Sequence, residues 1–240
     1  MERLDKILSN YGGLTRSTAK EYLKKGRISV NGSIFKDGSI KVSESDEILM
    51  DNKPVVRKKF RYFMLNKPSG YISSTEDEQA DTSPNVVSLL KNEGVKGLFP
   101  VGRLDKDTTG LLIITNDGEL GHRLTSPSRN IEKCYIAEVD GILTKEDTEA
   151  FSKGFEFKEF TSKPAKLEIL NTDTENNTSI AKVRISEGKY HQVKRMFLKR
   201  NCKVLKLQRV SEGNLNLDET LKPGEYRELT DEELDLIQQN

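Results

Sequence analysis

Apolar positions near the start recur with helical spacing. Leu4, Ile7, Leu8 and Tyr11 fall at i, i+3, i+4 and i+7, which predicts one short amphipathic helix. Gly12-Gly13 ends it. Thr15 or Thr18 can cap a second helix, and Thr18 with Glu21 has the spacing of a capping box. Ala19, Tyr22 and Leu23 make the buried face of that helix, leaving Arg16, Lys20, Lys24 and Lys25 outward until Gly26 stops it. "RISVNGSIFK" then reads as a hairpin around Asn31-Gly32, a strong two-residue turn signal.

Beyond residue 61 the pattern is mixed. "RYFMLNKPSGYIS" predicts a strand, a Pro-Gly turn and a second strand, and "NVVSLLKNEG" a short helix ended by Gly94. Leu111–Leu112–Ile113–Ile114 predict a core strand closed by the turn Asn116-Asp117-Gly118. Helical spacing returns in "GELGHRLTSPS", in "TKEDTEAFSKG" with Thr144 as cap, and in "YHQVKRMFLKRN". "EKCYIAEVDG" alternates as a strand, "AKLEILNTDTENNTSIAKVRIS" as a hairpin with a long polar loop, and "KVLKLQRVSEGNLNL" as further strands. Many antiparallel strands with a few interspersed helices, and no internal repeat, predict the α+β class. The predicted organisation is a small basic α/β module over 1–56, a basic linker over 57–61 and a larger, mainly antiparallel domain over 62–240.

Charge separates these parts. Residues 1–61 hold 14 Lys/Arg against 8 Asp/Glu, whereas 62–240 hold 25 against 30. Much of the acid is terminal, since 212–240 carry nine acids and two bases. A basic small module beside a near-neutral larger one suggests delivery to a polyanion. Arg16, Lys20, Lys24 and Arg27 would gather around one helix and its exit, spaced to meet phosphates. Arg57, Lys58, Lys59 and Arg61 read either as a solvated tether or as further phosphate contacts.

Composition narrows the chemistry. Charged residues are 32% and hydrophobic ones 34% of 240, ordinary for a soluble protein, and no apolar stretch approaches the ~18 residues of a membrane span. The first ten residues lack the pattern of a secretory signal. Cys134 and Cys202 fit no zinc or redox spacing, so reduced thiols in the cytoplasm are expected. With His122 and His191 the only histidines, a protein metal cage is not expected. No G-x-G-x-x-G or Walker loop occurs, so no nucleotide cofactor is expected. In "VGRLDKDTTGLLIITNDG", Asp105, Asp107, Thr109 and Gly110 have calcium-loop spacing. The loop's twelfth position is Asn116 rather than Glu, and hydrocarbon fills the seventh and ninth, which rejects that reading. Asp105 instead lies just upstream of a buried strand, where one carboxylate can be held rigidly in a cleft.

"MERLDKILSNYGGLTRSTAKEYLKKGRISVNG" resembles the S-four-like RNA-binding domain over about residues 1–50, with Thr15 and Ile28 where that family often has Ser and Val. "LNKPSGYISS", "PVGRLDKDTTGLLIITNDGEL" and "EGKYHQVKRMF", in that order behind such a module, resemble the RsuA-type pseudouridine synthases essentially end to end. The resemblance implies isomerisation of uridine to pseudouridine in ribosomal RNA, without a cofactor. "FPVGRLDKDTTGLL", "SKPAKLEIL", "EGKYHQVKRMF" and "LKPGEYRELTDEEL" are most similar to the members that act on 16S rRNA, and so is the acidic ending. The expected partner is therefore 16S in preference to 23S rRNA, free or in an assembling small subunit, with the enzyme a cytoplasmic monomer. The alternatives are a synthase acting on 23S rRNA and a non-catalytic RNA-binding assembly factor.

Carried over by resemblance, Asp105 is the catalytic aspartate, acting as a nucleophile or as a base, and Tyr135 is the active-site tyrosine. Tyr135 is expected to stack on uracil and help remove the proton at carbon five. Lys194 is the basic partner of Asp105, with Arg195 as runner-up; many relatives have Arg there. Asp105 is expected in a cleft largely closed to water, so that losing Lys194 would cost ~3–5 kcal/mol. Arg103 is expected to fill the gap left by the flipped base and to bind phosphate. His191 orders the helix start or meets RNA, His122 is structural or lies near phosphate, and Asp107 has turn or surface duty only.

Overall fold

The computed structural model describes residues 1–75 and 83–239. The chain divides into two compact units, Met1–Arg61 with Ser88–Leu98, and Tyr62–Val87 with Phe99–Asn240.

The first unit holds β1 (Glu2–Arg3), α1 (Leu4–Tyr11), α2 (Arg16–Lys24), β2 (Ile28–Val30), β3 (Ser33–Ile34), β4 (Lys41–Val42), β5 (Ile48–Met50) and β6 (Lys53–Pro54). Leu4, Ile7 and Leu8 bury the stripe of α1 with Ala19, Leu23, Ile28 and Ile48. The capping box uses Thr15 and Thr18, not Thr18 and Glu21. Because α2 begins at Arg16, Thr18 is its third residue; its N–H donates to Thr15 Oγ1 at 3.2 Å, and its Oγ1 accepts the Thr15 N–H at 2.8 Å. Asn31 and Gly32 join β2 to β3 with φ of +49° and +78°, the left-handed pair that a tight hairpin turn requires.

Two boundary expectations change. The stretch 57–61 is no free tether: the Arg57 guanidinium donates to the Ser43 and Asp46 carbonyls. Arg61, 7% exposed, pairs with Glu93 at 3.0 Å. That ion pair, with the close approach of Gly94 to Gly13, ties 88–98 to the first unit rather than the second. The expected helix in this region is a 3-10 stretch, Val86–Glu93, interrupted at Leu90.

The second unit holds β7 (Tyr62–Lys67), β8 (Phe99–Val101), β9 (Thr109–Thr115), α3 (Gly118–Thr125), β10 (Lys133–Asp140), α4 (Lys145–Lys153), β11 (Lys166–Asp173), β12 (Thr178–Ile185), α5 (Gln192–Leu198), β13 (Lys203–Glu212), β14 (Leu215–Asn216), β15 (Tyr226–Glu228) and α6 (Asp231–Gln238). One sheet runs β11-β12-β10-β13-β9-β7-β15, with β14 on β13 and β8 on β9. It is antiparallel except where β13 meets β9 in parallel. This is the mixed, antiparallel-dominated α+β architecture that the strand pattern predicts. Leu111–Ile114 of β9 are at most 1% exposed, as an unbroken apolar run in a central strand should be. The strand ends at Thr115, and Asp117 caps α3, accepting from the Glu119 and Leu120 N–H groups at 3.1 Å each. The second strand expected in "YIS" does not form; Ile72 makes a single bridge to Asn85, and the Ser73 hydroxyl is engaged elsewhere, as described below.

Gly110 sets the parallel junction. Its φ is +102°, and a Cβ there would lie 2.1 Å from the Arg209 carbonyl oxygen. Backbone, not a flexible side chain, occupies that space. Gly110→Ala should therefore destabilise the protein by roughly 2–4 kcal/mol through strain and the forced separation of β9 from β13. Urea unfolding of the purified variant checks this; a loss under about 0.5 kcal/mol would show that the junction is compliant.

Candidate active site

Asp105 sits on the loop between β8 and β9, and this loop is fastened from below by "LNKPSGYISS". The Ser73 hydroxyl donates to the Leu104 carbonyl at 2.8 Å and accepts the Leu104 N–H at 3.0 Å. The Gly70 N–H donates to the Lys106 carbonyl at 2.8 Å. Lys67 has no exposure, and its ammonium donates to the carbonyls of Thr108 at 2.9 Å and of Lys106 and Pro68 at 3.1 Å each. Burial pushes the Lys67 amine down to about 8, against the pull of Asp107 and Asp105 toward the charged form. Sequence reasoning gave Lys67 no role. Its only signal was a lysine following a strand of apolar residues, which also fits a solvated strand end.

From the other side comes α5. His191 precedes it in a left-handed conformation (φ +50°), with its ring stacked on Tyr190 at 3.8 Å and its Nε2 3.5 Å from Asp105 Oδ1. One turn into the helix, Lys194 Nζ reaches Asp105 Oδ2 at 2.9 Å and Asp107 Oδ1 at 2.6 Å. Burial works against the Lys194 charge, but its hydrogen bonds to the two carboxylates outweigh that and raise its pKa. Asp107 is held low by the same ammonium, which outweighs its own partial burial. Asp107 thus does more than turn duty. Asp105 and Lys194 keep 28% and 23% side-chain exposure, so the pair is screened rather than closed off from water. The ~3–5 kcal/mol expected for a fully desolvated pair does not apply.

Arg195 points elsewhere. One residue along a helix turns the side chain by about 100°, and Arg195 pairs with Glu159 at 2.6 Å while lying 4.6 Å over the ring of Phe157. Lys194, not Arg195, meets Asp105.

Strand β10 supplies Tyr135, only 7% exposed. Burial raises its pKa, with Arg209 opposing, so the phenol keeps its proton near neutral pH and a resting phenolate base is not available. Asp105, Lys194, His191 and Tyr135 line one cavity of about 70 Å³ together with the apolar Ile185 and Leu207. Arg103, exposed, lines it too. Among the described residues no three His, Cys, Asp or Glu side chains gather to hold a metal ion.

The candidate phosphate contacts divide. Arg16 and Lys20 line a concavity of about 630 Å³ on the first unit with Arg3, Asp5, Lys6 and Ser17, and Lys24 is exposed on α2. Arg27 differs from expectation. Its Nε donates to Asp51 at 2.6 Å and its guanidinium lies 3.8 Å over the Tyr22 ring, so it braces the hairpin.

The Lys67 clamp yields a signed pH test. Its folded pKa of about 8 lies below the ordinary 10.5, so between these values the unfolded chain binds the extra proton and stability rises with pH. The rise attributable to Lys67 is at most about 3 kcal/mol across that window. Lys67→Met should abolish this slope and, by leaving three carbonyls without their donor, lower stability by roughly 2–4 kcal/mol at pH 7. Parallel urea titrations of both proteins from pH 7 to 10.5 check this. Identical slopes would show that Lys67 does not titrate in the fold.

Comparison with known proteins agrees with the geometry. The family described as RNA pseudouridylate synthase matches residues 61–199, and the S4 domain matches residues 2–48. An uncharacterized RNA pseudouridine synthase of Bacillus subtilis is 42% identical over 98% of both chains. The ribosomal small subunit pseudouridine synthase A of Escherichia coli is 39% identical over 97% of this chain and 98% of its own. A solved pseudouridylate synthase superposes with a TM-score of 0.66 at 38% identity, covering 99% of this chain and all of that one. An S4 domain followed by a domain that matches these synthases in sequence and in fold places the chain in the RNA pseudouridylate synthase family.

Proposed function

We propose that this enzyme isomerises one uridine of 16S ribosomal RNA to pseudouridine in the cytoplasm, with Asp105 carrying the reaction and no cofactor taking part. The observation that bears most weight is the Asp105–Lys194 ion pair at 2.9 Å in a cavity walled by Tyr135, Ile185 and Leu207. The choice of 16S rests on relatives named for the small subunit, 38% and 39% identical over 97% of the chain.

The reaction breaks the bond between uracil N1 and the sugar C1′, turns the base and joins C1′ to carbon five. The proton at carbon five leaves, and N1 ends protonated. One ionised carboxylate serves this either as nucleophile or as base toward a sugar proton. Lys194 lies against Asp105 at 2.9 Å, a cation beside the carboxylate. Tyr135 in its neutral form and the apolar Ile185 and Leu207 suit the two faces of a flat, neutral base. Reaching the cavity requires flipping the nucleotide, at a few kcal/mol. The long exposed Arg103 at the same cavity can stack in the vacated space, while His191 shapes the start of α5. Arg16, Lys20 and Lys24 would meet phosphates outside the chemical site.

Asp105→Asn keeps shape and removes the charge. It should lower single-turnover pseudouridine formation on a 16S transcript by roughly 1,000-fold or more, with RNA affinity near normal. Lys194→Met should lower single-turnover pseudouridine formation, because Asp105 loses the cation held 2.9 Å from it. It should cost only about 1–2 kcal/mol of stability, given the screening, and Lys194→Arg should retain part of the activity. Substantial product from Asp105→Asn would sink the mechanism; pseudouridine only in 23S transcripts would overturn the substrate.

The first unit gives a separate expectation. Arg16→Ala with Lys20→Ala should weaken 16S binding and reduce the slope of log affinity against log salt by roughly 0.7–0.9 per lost phosphate contact. Filter binding between 50 and 200 mM salt measures it, and an unchanged slope would place the RNA elsewhere.

A further inference from the structure

A second cavity, of about 280 Å³, shares Arg103, Tyr135, Gly188 and Lys189 with the Asp105 cavity but includes neither Asp105 nor Lys194. Whatever occupies it adjoins the reacting base. Arg103, Lys133, Lys163, Lys189 and Arg209 line it against the carboxylates of Glu187 and Glu212. The innermost of these charges neutralise one another. Arg209 and Glu212 are ion-paired at 3.2 Å with 1% and 3% exposure, and Lys133 Nζ joins Glu212 from 3.6 Å. Glu187 is engaged by the wall as well. Its Oε1 accepts the Lys163 N–H at 2.8 Å and the Gln192 side-chain amide at 2.7 Å. Gln192 Oε1 in turn accepts the Lys189 N–H at 3.0 Å. This chain of hydrogen bonds links the backbones of Lys163 and Lys189 to the first residue of α5, while both residues stay exposed. Lys163 Nζ donates to the Asn130 amide oxygen, a neutral partner. Among the described residues neither lysine has a carboxylate within ion-pair distance.

Resting on the isomerase reading, we propose that Lys163 and Lys189 bind one of the two RNA phosphates flanking the target uridine and so seat the nucleotide. Uracil is neutral, so cations beside the Asp105 cavity find no charge on the base to meet. The anions nearest that base are the phosphates on the 5′ and 3′ oxygens of its own ribose. With Arg103 placed in the vacated stack, Lys163 and Lys189 remain for them. An ammonium and a phosphate oxygen form a charge-assisted hydrogen bond, and two lysines suit the two free oxygens of one phosphodiester. The apolar Leu124, Pro127 and Ile131 of the same cavity can lie against the ribose that carries it. The Arg209–Glu212 pair stays within the wall and takes no part. Through Glu187 and Gln192 the phosphate site leads into α5, which two residues later brings Lys194 to Asp105. Seating the phosphate thus places the ribose next to the carboxylate that acts on it.

The test uses the full-length protein and a 16S transcript. If no pseudouridine forms in any ribosomal RNA, the isomerase reading fails and this one with it. Once the modified uridine is located, each flanking phosphate in a synthetic RNA is replaced in turn by an uncharged methylphosphonate. At one of them kcat/KM of the wild type should fall at least about tenfold, as the loss of a charge-assisted contact predicts. Lys163→Gln with Lys189→Gln should lower kcat/KM on unmodified RNA and shrink that methylphosphonate penalty to within about threefold. The double variant should also lose roughly 0.7–0.9 from the slope of log kcat/KM against log salt, the contribution of one phosphate contact. Lysines that only brace the fold would leave both the penalty and the slope as they are in the wild type. Smaller losses at both methylphosphonates overturn the proposal. A penalty that survives unchanged in the double variant, or a salt slope equal to that of the wild type, overturns it as well.

Discussion

An ammonium cut off from water holds the Asp105 loop in place, and much of the geometry around it follows from that. Taking the Lys67 charge out of solvent is costly, and the fold offsets the cost with three backbone carbonyls within 3.1 Å. Two of them, from Lys106 and Thr108, bracket Asp107 in the loop that carries Asp105. A carbonyl can meet the ammonium in only a few geometries, so satisfying the lysine also fixes the loop. Ser73 and Gly70 secure the remaining backbone groups. The carboxylates above it return the favour electrostatically, since both hold Lys67 toward its charged form.

Lys194 completes this arrangement from a different element. Shared between Asp105 and Asp107, it relieves the repulsion between two carboxylates two residues apart. With Lys67 charged, two cations face two carboxylates. Asp105 also keeps 28% of its side chain exposed, within reach of water.

Most features that depend on neighbours in sequence were legible. The stripe of α1, the Asn31-Gly32 hairpin, the run Leu111–Ile114 and the cap at Thr144 are local, and physical chemistry reads them directly. Asp105 and Lys194 were nameable from motif resemblance, and helix geometry then separated Lys194 from Arg195. Most of the missed features depend on partners distant in the chain. Lys67 meets carbonyls about forty residues away, Arg209 packs its backbone on Gly110, and residues 88–98 belong with the first unit through Glu93 and Gly94. The capping box was misassigned by one turn because Thr15 and Thr18 carry nearly the same local signal.

Charge counting was the least secure guide. The excess of Lys and Arg over residues 1–61 suggested a broad phosphate-binding face, but part of that charge is spent inside the unit. Arg27 is bound to Asp51, Arg57 to two carbonyls, Arg3 to Asp5 and Arg61 to Glu93. A guanidinium already satisfied by a carboxylate must break that pair before it can release counterions from RNA, so it adds little to salt-dependent affinity. Arg16, Lys20 and Lys24 have no carboxylate within ion-pair distance among the described residues. The electrostatic footprint of the first unit is therefore narrower than its net charge, and Arg16, Lys20 and Lys24 of α2 are part of what remains.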